Sequence, residues 1–410
     1  MPERSERRLI LVLAAVQFVN ILDFMMVMPL GPDFADQLGI DRANLGIIGG
    51  SYTASAALSG LACAFFLDRF DRRPALALSL LGLAVGTFGG VLATGLGSLV
   101  LARVIAGAFG GPATSLAMSI VADAIPPERR GRAMGTMMTA FSVASVAGVP
   151  AGLELARLGT WHTPFIATAL LAVVAAVLAQ LMLPPLRGHL ATARRDESAF
   201  AGFARLFTRP VTAISYAMTF TTMLGMFALI PNIAAYVQGN LGYPRESLGM
   251  LYGAGGLASF VTMRPFGRMV DRFGALSVGT VASALTAAVV WVGFGQEDFV
   301  APVLAVFVCF MVANGLRNVA YNTLTSRVPE PDERARFMSL QSMVQHVGAA
   351  AGAFLSSQML RTTEEGLLVG VPHVAWVAVL TMAALPVFMA TVQARLTPAR
   401  APAPLPAPVE

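Results

Sequence analysis

Apolar runs long enough to cross a bilayer recur along almost the whole chain. The hydrocarbon layer is about 30 Å thick, so a helix rising 1.5 Å per residue needs about 20 apolar residues to span it. In the first half such runs fall at 9–29, 45–67, 75–94, 97–122, 134–155 and 164–184. In the second half they fall at 211–237, 247–270, 275–294, 300–326, 337–360 and 372–394. A water-facing body needs charge to cover it, and soluble domains carry about 25% charged residues. Here 12% of 410 residues are charged and 56% are hydrophobic. A soluble globular chain, a disordered chain, collagen and a disulfide scaffold are all excluded. The expected fold is an all-α membrane protein of twelve transmembrane helices in two pseudo-symmetric six-helix bundles. Residues 1–184 form the N-terminal bundle, 185–209 a polar cytoplasmic linker and 210–396 the C-terminal bundle. The Pro/Ala-rich tail 397–410 is expected to be disordered.

The basic residues are 28 arginines with no lysine. With the N-terminus placed inside, 22 arginines fall in inside segments and four, Arg42, Arg157, Arg245 and Arg361, fall outside. Arg103 and Arg317 remain within helices. This asymmetry follows the positive-inside rule and predicts a multi-pass protein of the cell membrane with both termini cytoplasmic. Arg4, Arg7 and Arg8 precede the first run as they would in a signal peptide, but Asp23 interrupts it and no small-residue cleavage site follows. The first run is therefore read as a retained span. No dense basic run points to nucleic acid. Cys63 and Cys309 both lie in apolar runs and predict neither a disulfide nor a metal site.

Two landmarks repeat at one offset. Asp68-Arg69-Phe70 recurs as Asp271-Arg272-Phe273, 203 residues later. Pro127 with Arg132-Ala133-Met134 recurs as Pro331 with Arg336-Phe337-Met338, 204 residues later. This predicts a duplicated six-helix unit, and parallel repeats of that kind place a substrate site between the halves near mid-membrane.

The stretch Ala64-Phe-Phe-Leu-Asp68-Arg69-Phe70-Asp71-Arg72-Arg73 resembles the Gly-x-x-x-Asp-Arg-x-Gly-Arg-Arg signature of the major facilitator superfamily, with Ala64 and Asp71 in place of its glycines. Gly267-Arg268-Met269-Val270-Asp271-Arg272-Phe273-Gly274 is a second copy that keeps both glycines. Arg103-Val-Ile-Ala-Gly107 is similar to the Arg-x-x-x-Gly pattern of proton-coupled members, and Gly148-Val-Pro150-Ala-Gly152 resembles a shifted antiporter signature. The stretch from Arg317 to Gly348, with Phe337-Met338-Ser339-Leu340 and Gln345, is similar to the arabinose-efflux-permease-like branch. The resemblance covers essentially the full chain and implies the major facilitator fold. It also implies that the loop residues Asp68, Arg69, Arg72, Arg73, Asp271 and Arg272 act as a gate between the halves.

Charge at membrane depth is the sharpest functional signal, because an unpaired ion there costs at least about 2.5–3.5 kcal/mol. Asp23 and Arg103 each lie about six residues below the outer ends of their runs, about 9 Å in at 1.5 Å per residue. They are expected to meet, either as a structural ion pair or as a proton- or substrate-coupling site. Burial favours the protonated acid while a guanidinium favours the charged one, so the pair is a candidate proton carrier. Arg317 and His346 share a depth in the second half, where no acid lies at that level. Arg317 therefore needs a carbonyl, a water-filled cavity or an anionic substrate group. Gly107, Gly148, Pro150 and Gly152 are expected to let helices approach or bend.

A secondary transporter, proton-coupled and exporting a small organic molecule such as a drug, sugar or metabolite, fits these features best. A uniporter, an importer or a non-transporting sensor on the same fold are the alternatives. A lysine-bearing phosphate loop cannot exist without lysine, so ATP drive in cis is excluded. An enzyme would need paired carboxylates, a metal cluster or an activated serine, and the sequence shows none. The expected partners are substrate, protons and the bilayer, with no cofactor, for a monomer.

Overall fold

The computed structural model describes residues 3–66, 70–185, 206–296, 301–330 and 333–396. The first half contains α1 (Glu3–Met26), α2 (Gly31–Leu38), α3 (Leu45–Phe66), α4 (Arg72–Val91), α5 (Leu96–Ala124), α6 (Pro127–Val143), α7 (Val149–Leu158) and α8 (His162–Met182). The second contains α9 (Pro210–Leu229), α10 (Ile233–Gly239), α11 (Leu248–Phe273), α12 (Ala275–Phe294), α13 (Val303–Thr325), α14 (Arg334–Met359) and α15 (Val371–Leu396). A two-stranded hairpin, β1 (Arg361–Thr362) with β2 (Leu368–Val369), joins α14 to α15. Nearly all of the linker and the whole tail lie outside the described residues.

The twelve apolar runs become twelve membrane-crossing helical segments, the fifth built from α6 and α7 and the seventh from α9 and α10. Ten are apolar enough to span by composition alone. The other two, α11 and α14, are each 26 residues long but carry charge or polarity on one end. Arg264, Arg268, Asp271 and Arg272 crowd the end of α11, and Gln341, Ser342, Gln345 and His346 line α14.

Proline explains both interrupted spans. Pro150 has no N–H and its ring excludes the carbonyl four residues back. The preceding turn, Ala144–Gly148, widens into a π-helix in which the N–H of Val149 donates to the carbonyl of Ala144. Pro231 similarly replaces α-helix by a short 3-10 turn over Ile230–Asn232.

The repeat is visible in element boundaries. α3 begins at Leu45 and α11 at Leu248, and α4 begins at Arg72 and α12 at Ala275, both at the offset of 203 found in the landmarks. The turn before α4 differs between copies. Gly274 turns the chain with φ of 85°. Its counterpart Asp71 instead caps α4, its carboxylate accepting from the N–H of Arg73 at 3.0 Å.

The two halves meet on the face that is poor in arginine. Gly46 and Gly50 bring α3 against α14: a Cβ on Gly46 would lie 2.4 Å from the Ala353 carbonyl oxygen. Gly256 brings α11 against the π turn, where a Cβ would lie 2.7 Å from the Ser145 carbonyl oxygen.

Candidate functional site

Asp23 comes from the last turn of α1 and Arg103 from the second turn of α5. The structure brings them together as a bidentate pair: Nη1 donates to Oδ1 at 3.1 Å and Nη2 to Oδ2 at 2.9 Å. Nη2 also reaches the Asp23 backbone carbonyl at 3.3 Å. Asp23 is 0% exposed and Arg103 1% exposed. A charge pair this dry holds only if its remaining lone pairs and donors are satisfied, and the surrounding helices supply most of that. Thr87 of α4 places its hydroxyl 2.6 Å from Asp23 Oδ1 and 2.8 Å from the carbonyl of Leu83. Tyr52 of α3 lies flat beneath Arg103, 4.6 Å from guanidinium to ring centre. Its hydroxyl donates to Asn20 at 2.9 Å, and Asn20 donates on to the carbonyl of Gly110 and to Thr114. Arg103 Nε remains without a partner.

The threonine gives the site a second hydrogen-bonding state. A hydroxyl carries one proton and two acceptor lone pairs. With Asp23 charged, Thr87 donates to it. With Asp23 protonated, the acid donates to Thr87 and the hydroxyl turns its proton to Leu83. The Asp23–Thr87 hydrogen bond can therefore be made in either protonation state, while protonation removes the charge that Arg103 pairs with.

The glycines of α5 make room for this arrangement. A Cβ on Gly107 would lie 2.3 Å from the Tyr52 carbonyl oxygen, and one on Gly110 would lie 2.3 Å from the Tyr52 hydroxyl. Gly107 is thus a packing residue. Gly148 and Gly152 admit Leu22 and Met26 of α1, and Pro150 contacts Gly253 across the halves.

Of the three kinds of partner expected for Arg317, the structure shows a carbonyl oxygen, that of the Asn314 side chain. Arg317 is 1% exposed, and Nη2 donates at 2.8 Å to Asn314 one turn back on its own helix, while Nε has no partner. It is a buried cation rather than a water-facing one. His346 does not join it. Its Nδ1 lies 2.9 Å from the carbonyl of Ser342, again on its own helix. The link between the two helices is Gln345, which donates to Tyr321 at 3.4 Å. Beside them Gln341 reaches Thr219 at 2.5 Å.

The gate expected between the halves takes another form. Asp68 and Arg69 lie outside the described residues. Arg72 pairs with Asp123 at 3.0 Å and Arg73 donates to the carbonyl of Leu183 at 3.2 Å, both within the first half. Asp271 and Arg272 are exposed, with Arg272 over the Phe273 ring. The Arg72 and Arg73 contacts tie neighbouring helices of one bundle.

Among the described residues, every hydrogen bond and ion pair that crosses between the halves lies at the arginine-poor face. Arg245 forks onto Asp33 of α2 at 3.1 and 2.8 Å. Arg42 donates to the carbonyl of Gly366 at 2.9 Å, and Thr362 donates to Asp41 while accepting from the N–H of Ala43. All four arginines that break the one-sided bias, Arg42, Arg157, Arg245 and Arg361, sit in or beside this seal. Burial raises the Asp33 carboxyl above its usual range despite the opposing pull of Arg245.

Sequence reasoning missed Asp33, Thr87, Tyr52 and Asn20. Arg245 had a signal, as an exception to the arginine bias. A lone threonine or tyrosine in an apolar run had none.

The family model described as Major Facilitator Superfamily matches residues 13–353 and 215–406. The chloramphenicol resistance protein of Streptomyces lividans is 27% identical over 369 residues, covering 88% of this chain and 90% of that protein. A chloramphenicol efflux pump of Mycobacterium tuberculosis is 24% identical over 374 residues, covering 87% and 88%. Among solved structures, a D-xylose-proton symporter superposes with a TM-score of 0.72 at 17% identity, covering 93% of this chain and 96% of the other. The nucleoside transporter NupG superposes at 0.70 with 15% identity, covering 94% and 99%.

Proposed function

The chain belongs to the Major Facilitator Superfamily, and from that premise we propose that this multi-pass membrane transporter exports a small organic molecule in exchange for protons. The observation that carries the reading is the Asp23–Arg103–Thr87 site. It is a buried acid whose hydrogen bond to Thr87 can close in both protonation states, and among the described residues its charged partner is a cation on a different helix. Protonation at Asp23 weakens its hold on Arg103. Loss of the proton re-forms the pair. A helix-to-helix contact that strengthens and weakens with one proton is the element a coupled carrier needs.

In this reading the arginine-rich face is cytoplasmic and the molecule lies in the cell membrane with both termini inside. The halves, 1–184 and 210–396, rock about the site through the linker 185–209. The seal of Asp33, Arg245, Arg42 and Thr362 closes the outer face, and the exported molecule enters from the cytoplasm. Arg317, with Asn314, Tyr321 and Gln345 near it, presents donors toward the substrate path when the halves move. Asp271 and Arg272 act with Asp68 and Arg69 at the inner face in the opposite state. Two relatives named for chloramphenicol make that compound the first candidate to assay.

The test is accumulation of labelled chloramphenicol in everted membrane vesicles carrying the full chain, with and without an acid-inside pH gradient. The proposal expects accumulation that collapses with the gradient. Equal accumulation under both conditions contradicts proton exchange, and a substrate panel read by proton release replaces chloramphenicol if that compound is not carried.

A further inference from the structure

One side of α11 changes character along its length. Met250, Leu257 and Val261 are 60%, 53% and 63% exposed and lie at helical spacing, so they form an apolar stripe facing lipid. The same stripe continues into Arg264, Arg268 and Arg272, each exposed and each one turn from the next. The opposite margin of the helix faces the first half through Gly253 and Gly256.

Neither Arg264 nor Arg268 has a hydrogen-bond or ion-pair partner among the described residues, and no ion pair joins Asp271 to any of the three. Arg264 stands nine residues before the end of α11, about 13 Å at 1.5 Å per residue. That depth is within an arginine's reach of the headgroup layer, where long cationic side chains settle. The matching positions of the first repeat, 203 residues earlier, are Leu61, Phe65 and Arg69. Two of the three charges therefore belong to the second half alone. Topology needs no such alignment, since arginines in the connecting loops already supply the bias. Cations aligned on a lipid-facing stripe, with apolar surface leading away toward mid-membrane, match a phosphodiester with its acyl chains. A net anionic headgroup matches better than a zwitterionic one, because neither Arg264 nor Arg268 is in an ion pair among the described residues, Asp271 included.

We propose that Arg264 and Arg268 of α11 hold the phosphodiester of an anionic phospholipid in the leaflet on the arginine-rich side, with its acyl chain along Val261, Leu257 and Met250. The site sits beside the α11 contact with the π turn, so a bound lipid stiffens one of the two seams between the halves.

Native mass spectrometry of the full chain, titrated with phosphatidylglycerol or phosphatidylcholine of equal acyl length, tests this. The wild type should retain phosphatidylglycerol preferentially. The variant Arg264→Gln with Arg268→Gln should lose affinity for it by about fivefold per arginine removed. Arg395→Gln, exposed at the same face on α15, should retain the preference, and inorganic phosphate should not displace the lipid. A second pair, Arg264→Lys with Arg268→Lys, keeps the charge and should keep most of the preference. An unchanged preference in the glutamine pair, an equal loss in Arg395→Gln, or displacement by inorganic phosphate would each overturn the proposal.

Discussion

The two halves share a scaffold and differ in what they bury. The landmark offset of 203 carries Asp23 to Met226, Tyr52 to Gly255 and Thr87 to Val290, and the offset of 204 found further along carries Arg103 to Phe307. The geometry agrees: residue 52 packs on 103 and 107, and a Cβ on Gly255 would touch Phe307 and Met311 at 2.7 and 2.9 Å. Met226, Val290 and Phe307 are buried in one apolar cluster. So the first half holds an ion pair where the second holds a hydrophobic plug. The same offsets also link two surface ion pairs of reversed polarity. Glu6 at the start of α1 pairs with Arg129 of α6 at 2.8 Å, and Arg209 beside α9 pairs with Glu333 beside α14. The scaffold tolerates either sign where water reaches the pair. The dry position is different, because an ion there is costly and an apolar filler costs nothing. A buried pair retained in one copy only is therefore where the proposed function places its proton site.

Arg103→Ala should have the largest effect. It leaves Asp23 buried without its cation, and breaking one partner of such a pair costs about 3–5 kcal/mol. Thermal unfolding in detergent should show the loss, and transport should vanish. If Arg103→Ala melts like the wild type, the first half is as indifferent to this position as the second half is.

Thr87→Val installs the second half's residue in the first and is nearly isosteric. It removes a hydrogen bond to a charged group, about 1.5–3 kcal/mol, while leaving the ion pair in place. Transport should survive with a shifted pH profile, since the charged acid loses one donor but keeps both from Arg103, whereas the protonated acid loses its acceptor. An unchanged profile would show that the hydroxyl is merely packing.

How much of this was legible in the sequence follows the same division. The twelve spans were plain because hydropathy depends on bilayer thickness and little else. The Asp23–Arg103 meeting was legible because two costly charges at equal depth have few other partners. The partner of Arg317 was left open because depth does not reveal whether a helix face opens on water or on its neighbours. The outer seal was hidden because Asp33 sits on α2, a short helix within what reads as a loop. Which loops touch also depends on how the halves are rocked, and no single-chain pattern encodes that.

Exchanging the charges of the Glu6–Arg129 pair, in which Glu6 is largely buried and Arg129 exposed, with Glu6→Arg and Arg129→Glu together, copies the polarity of the second half. Each single change should cost little, below about 1 kcal/mol for a pair that water reaches, and the double variant should recover it in a melting measurement. A double variant worse than either single one would show that the two surface pairs are not equivalent.

The smallest effect belongs to the seal. The Asp33 carboxyl is raised in the sealed structure, so the sealed state takes up its proton more readily than an open, solvated one. Ionised Asp33 therefore opposes the seal above the raised value, and that opposition fades as pH falls through it toward the ordinary range near 3.8. Mild acid on the outer side should favour closure, the direction required of the return step in proton exchange. Cysteine accessibility at the outer rim should fall with pH in the wild type and lose part of that dependence in Asp33→Asn. A rim that opens with acid in the wild type would reverse the sign.

The central claim is that the buried acid of the first half couples transport to protons. Asp23→Asn keeps the shape of the side chain and its oxygen near Thr87, but it cannot gain or lose a proton. The decisive measurement is proton release accompanying substrate addition to proteoliposomes carrying this variant, alongside downhill substrate exchange in the same preparation. The claim predicts that exchange continues while substrate-driven proton movement disappears. Proton movement at the wild-type ratio to substrate, in a variant without that carboxyl, would contradict it.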